Sequence, residues 1–108
     1  MSYWIHPEAE AELEEAALYL AEHASQALAQ ALLLEYERVV ALLIENQQRG
    51  PHSDFDMRLY HLDRFHYTVF YEENAVLGPQ IYAVAPQARE PGYWLPRAGE
   101  SSPGEFHP

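Results

Sequence analysis

The chain has 108 residues, 48% hydrophobic and 13% aromatic, which suits one domain with one core and a chain that folds rather than stays disordered. It has no cysteine, so a disulfide framework and a zinc–thiolate site are excluded, and no apolar run approaches the ~20 residues of a membrane span. Seventeen acidic residues stand against six arginines and no lysine, a formal net charge of −11 that on average repels nucleic acid.

The opening MSYWIHPE lacks the basic-then-apolar order of a signal peptide, so a cytoplasmic protein is expected. Residues 3–6 are aromatic and suit a short first strand. Pro7 fits the first position of a helix, where a missing N–H costs nothing, and Glu8 and Glu10 suit the positive end of its dipole. Ala9, Leu13, Ala16, Ala17, Leu20 and Ala24 follow helical spacing on one face, with Glu8, Glu12, Glu15 and Glu22 on the other. Ser25 is a natural N-cap for a second helix to about Gln48. Its stripe of Leu28, Leu32, Tyr36, Val39 and Leu43 is widened by Leu33, Val40 and Ile44, and Gly50-Pro51 is a stop signal. With almost no link between them, the helices should form an antiparallel hairpin. Residues 1–50 carry nine Glu against Arg38 and Arg49, a balance of −7. This reads as a solvated helix surface, or alternatively as a dock for a basic partner.

From residue 57 the helical period gives way to Tyr, Val, Phe, Ile and Thr, residues that fit a pleated surface. Strands are predicted at 57–62, 65–72 and 81–85, joined by a tight connection at Asp63-Arg64 and a longer turn around Asn74 and Gly78-Pro79. In the middle strand Phe65, Tyr67, Val69 and Tyr71 share one face, and His66, Thr68, Phe70 and Glu72 the other. The fold class is therefore α+β: an N-terminal strand, a helical hairpin, then an antiparallel meander with the helices on one of its faces. The domain is expected to span residues 1–97, and the Pro/Gly/Ser-rich residues 98–108 are expected to be a disordered tail.

The six histidines show no metal-ligand spacing. The paired carboxylates lie on helix surfaces, and there is no nucleophile motif or phosphate-cradling glycine loop, so no cofactor or metal is implied. The arginines are more informative. Arg64 sits at a turn, and Arg89 lies just past the last strand, followed by Pro91-Gly92-Tyr93-Trp94. Clustered Arg, Tyr and Trp dominate recognition surfaces. The opposing reading has Arg64 and Arg89 paired with Asp63 and Glu90, and Tyr93 and Trp94 pinning the tail to the sheet.

The segments IHPEAEAELEEAALYL, NQQRGP, RLYHLDRFHYTVFY and IYAVAPQAREPGYWLPR together resemble the RelE/ParE toxin superfamily, whose members are often labelled plasmid-stabilisation proteins. The resemblance runs from residue 5 to 97. It implies a toxin held inactive by a cognate antitoxin, as a homodimer or as a hetero-oligomer with that antitoxin. One branch of the superfamily cleaves mRNA on the ribosome and carries basic residues on its second and third strands, where this chain has Tyr60 and Thr68. Arg89 and Tyr93 match that branch's C-terminal pair. The other branch poisons DNA gyrase, and the RF and AVA-x-x-x-R-x-PGYW segments look closer to it, although His66 replaces the usual Pro and Pro86 the usual His. The resemblance thus implies a ParE-like toxin that binds a protein target through Arg58, Arg64, Arg89, Tyr93, Trp94 and Arg97. The alternatives are a RelE-like mRNA interferase, with Arg58, Arg64, Arg89 and Tyr93 as candidates for phosphate contacts and Arg64, Arg89 and Tyr93 among them as catalytic candidates, and a non-toxic module that only binds a partner.

Overall fold

A computed structural model describes residues 2–90 and 92–99. The elements run β1 Trp4–Ile5, α1 Pro7–His23, α2 Gln26–Glu45, β2 Arg58–His61, β3 Tyr67–Glu72 and β4 Gln80–Pro86, ending in a 3-10 turn at Leu95–Gly99. They form one sheet of order β1-β4-β3-β2. The three later strands are antiparallel, as their short connections require, while β1 lies parallel to β4.

The helix ends follow local chemistry. Pro7 occupies the first turn of α1, and the His6 side chain caps it by accepting the Glu8 N–H at 3.1 Å. Ser25 Oγ caps α2 by accepting the Leu28 N–H at 3.0 Å. The link between the helices is so short that α2 folds back and packs along α1. α2 stops at Glu45, three residues before the expected end, because Asn46 leaves the helical region and its side chain takes the Gln48 N–H at 3.0 Å. The loop beyond is tied to the sheet by Tyr71, whose hydroxyl donates to Gln47 O at 2.7 Å and accepts the Gly50 N–H at 3.1 Å. Gly50 is obligatory here, since a Cβ would lie 2.2 Å from the Leu59 carbonyl oxygen.

Two apolar clusters flank the sheet. Ala9, Leu13, Leu32, Val39 and Leu43 of the helices meet Val69, Tyr71, Ile81 and Val84 on one face. On the other, Trp94 and Met57 meet Tyr82, Ala83 and Ala85, with Phe70, Phe55, Trp4 and Tyr93 around them. The helices thus cover one face and the C-terminal segment part of the other. β4 serves both faces through an irregularity: Phe70 pairs with Ala83 and Tyr71 with Ile81, leaving Tyr82 extra. Tyr82 and Ala83 therefore turn to the same side.

The middle strand begins at Tyr67 rather than residue 65. Phe65 and His66 belong to the preceding turn, where the Leu62 N–H bonds Tyr67 O at 3.0 Å and the Tyr67 N–H bonds Phe65 O at 2.8 Å. Of the segment expected to be a tail, Ala98 packs against the Trp94 cluster and Gly99 ends the 3-10 turn, whereas residues 100–108 lie outside the described residues, as does Pro91.

Candidate functional site

β1 is only two residues long, so β4 outlasts its partner. Past that point two backbone groups of β4 are held by side chains instead of a strand. The Val84 N–H donates to Glu12 Oε1 at 3.0 Å, and Arg97 Nη1 donates to the Tyr82 carbonyl at 3.2 Å. Glu12 and Arg97 also pair with each other, at 2.9 and 3.2 Å through two nitrogens and two oxygens. Their side chains are 12% and 10% exposed. An acceptor and a donor joined to each other thus close a sheet edge that would otherwise invite a foreign strand.

Glu12 takes one further bond, from the Tyr93 hydroxyl to Oε2. Burial, then this bond to a carboxylate, pushes the Tyr93 phenol well above its usual ionisation range, so it stays a donor. The Tyr93 ring carries Arg89, whose guanidinium carbon lies 3.6 Å from the ring centroid. Arg89 and Tyr93 line a groove of about 290 Å³ on the sheet face away from the helices. Its other walls include His61, Thr68, Phe70 and Gln87. His61 Nδ1 lies 2.6 Å from the Thr68 hydroxyl, and Gln87 Nε2 lies 3.4 Å from that same oxygen.

Arg64 is exposed in the turn between β2 and β3, in the left-handed region at φ 72°, with its guanidinium 5.3 Å from the Phe65 ring centroid. Glu35 of α2 holds that turn by accepting the Asp63 N–H at 2.6 Å while binding Arg38 through two bonds of 2.7 Å. The Arg38 guanidinium, aided by the Asp63 amide, holds the Glu35 carboxyl below its ordinary range against the opposing effect of burial. The Gln87 N–H bonds His66 O at 2.9 Å, which sets the Arg64 turn beside the Arg89 segment at one end of the sheet.

The other residues expected at a target surface are placed elsewhere. Arg58 sits at the far end of β2, ion-paired to Glu73 and donating to Gly50 O at 2.6 Å, with its side chain 14% exposed. Trp94 is 1% exposed and packs against Phe70 and Phe55 with ring centroids 4.3 and 5.4 Å away, so it is a core residue. Arg97 is the internal edge closure described above. Of the six, Arg64 and Arg89 project from the surface, with Tyr93 half-buried beneath Arg89. Among the described residues neither Arg64 nor Arg89 has a carboxylate within 4.0 Å, so the pairing with Asp63 and Glu90 does not form. Glu12 went unrecognised because its spacing put it with the solvated glutamates of α1. The groove-lining His61, Thr68 and Gln87 carried no motif at all. Thr68 and Tyr60, at the positions where the nuclease branch is basic, are respectively buried and packed against the helix-side core.

These features define a class of small α+β protein: a helical hairpin over one face of a mixed sheet, with an arginine-bearing C-terminal segment on the other. The family model described as the ParE toxin of the type II toxin-antitoxin system parDE matches residues 3–91, and the chain belongs to that family. The match ends just before Tyr93. A chain of the chromosomal ParDE TA system from P. aeruginosa superposes with a TM-score of 0.69 at 19% identity, covering 80% of this chain and 95% of that one, a likeness of fold. No curated protein sequence matches significantly. Among the described residues no helix is long and apolar enough to cross a membrane, and no three His, Asp or Glu side chains gather as a metal site.

Proposed function

We propose that this chain is the toxin of a ParDE-type pair, neutralised by a cognate antitoxin and acting by binding a protein target such as DNA gyrase through the Arg64–Arg89–Tyr93 end of the sheet. Beyond family membership, the observation that carries this reading is the disposition of the arginines. Arg38, Arg49, Arg58 and Arg97 are each committed to a glutamate. That leaves Arg64 and Arg89, among the described residues, as the exposed arginines without a carboxylate partner, in a chain with no lysine. Cleaving RNA calls for several positive groups aimed at one phosphate. Two cations serve a protein contact better than a phosphodiester transition state.

The mRNA interferase reading retains one favourable observation: the groove beside Arg89 holds an imidazole, a hydroxyl and a phenol. The two readings separate in vitro. Purified chain should inhibit gyrase supercoiling and leave ribosome-bound mRNA intact, with Arg89→Ala relieving the inhibition. Unaffected supercoiling at saturating protein, together with mRNA cleavage that Arg89→Ala abolishes, would reverse the assignment.

A further inference from the structure

Arg89 lies in a segment with little else to hold its side chain. Its N–H bonds Pro86 O at 3.1 Å, and its guanidinium rests on the Tyr93 ring. The position of that ring is set by the Tyr93 hydroxyl, which donates to Glu12. Glu12 in turn cannot drift, because one oxygen is bound by the Val84 amide of β4 and both are bound by Arg97. A carboxylate on α1 therefore links the sheet, the C-terminal segment and the seat of Arg89.

The charges are arranged to match. A lone carboxylate this close would draw Arg89 inward as its own counter-ion. Here Arg97 already satisfies Glu12 in a nearly buried, two-pronged pair, so Glu12 fixes the ring without claiming the second guanidinium. The Arg89 guanidinium is left at the surface with no carboxylate within 4.0 Å among the described residues, stacked on an aromatic face, with Glu90 on the wall of the same groove.

We propose that Glu12 is a positioning residue for Arg89: by fixing the Tyr93 phenol it holds the guanidinium outward, where it meets a carboxylate of a binding partner. The partner half of this inference rests on the target-binding reading given above, and the positioning half rests on geometry alone.

Both halves are tested in the full chain. In solution NMR the Arg89 side-chain protons of the wild type should be displaced upfield by the Tyr93 ring current, with the resonance assigned by its loss in Arg89→Ala. Glu12→Ala and Tyr93→Leu should both return it to the value of an unstacked arginine. Glu12→Gln keeps an acceptor oxygen but drops the charge, should reduce the displacement, and serves if Glu12→Ala does not fold. An unchanged ring-current shift in a folded Glu12 variant overturns the proposal. Growth of a bacterial host after induction reads the partner half. If the wild type arrests growth, folded Glu12→Ala should lose arrest as fully as Arg89→Ala, and full arrest by that variant also overturns the proposal. If the wild type does not arrest growth, the target-binding reading fails, and the ring-current comparison alone decides the positioning.

Discussion

Removing Arg97 would leave Glu12 nearly buried without an ion-pair partner, removing Glu12 would leave Arg97 only the 4.0 Å contact to Glu8, and either change would also free a backbone group of β4. Glu12→Ala and Arg97→Ala should each cost about 3–5 kcal/mol in urea unfolding, with the double variant costing clearly less than the sum. Additive costs would show that the two side chains act independently. Arg64 makes a contrasting case, because its left-handed backbone is unfavourable for a side chain with a Cβ. Arg64→Gly should leave stability unchanged or raise it by ~1 kcal/mol while removing one of the two exposed arginines of the proposed target surface. A loss of more than ~1 kcal/mol would mean that the arginine side chain holds the turn. Sequence reading was weakest at this scale. Arg64, Arg89 and Tyr93 could be picked out by type, but the fates of Trp94 and Arg97 depended on what packs against them. Glu12 meets its partners 72, 81 and 85 residues away, a separation that no local pattern encodes.

At the scale of elements the sequence was far more legible. Both helix starts were visible in Pro7 and Ser25, and the alternation of Val69, Tyr71 and Phe70 across β3 was visible in period two. These signals are local. The parallel β1–β4 pairing and the extra residue at Tyr82 were not visible, because both arise from how distant segments share a sheet. Contacts between elements also set how the fold responds to pH. Glu35 joins α2 to the β2–β3 turn as a carboxylate, with its folded ionisation lowered from the ordinary 4.5 chiefly by Arg38. Its contribution is therefore complete above that unfolded value and is lost as pH falls through the lower folded value. Glu35→Gln should remove this part of the acid destabilisation, so that the stabilities of wild type and variant converge below about pH 4.5. A constant difference across that range would show that the Glu35 charge does not stabilise the turn.

Over the whole molecule, charge and fold point in different directions. The fold is that of the ParE toxin family, yet a net charge of −11 and four internally committed arginines leave little positive surface. Such a chain is poorly suited to holding nucleic acid along its length, which agrees with the proposal of a protein target met at the Arg64–Arg89 end of the sheet. That contrast was already present in the composition. What the composition lacked was which arginines are free to act, a question settled only by the packing of α1, β4 and the C-terminal segment. The toxin assignment is tested most directly by growth of a bacterial host after induction of the chain without an antitoxin, beside a soluble Arg89→Ala control. The wild type should arrest growth and the variant should relieve the arrest. Normal growth while soluble wild-type protein accumulates, or equal arrest by both, would contradict that assignment.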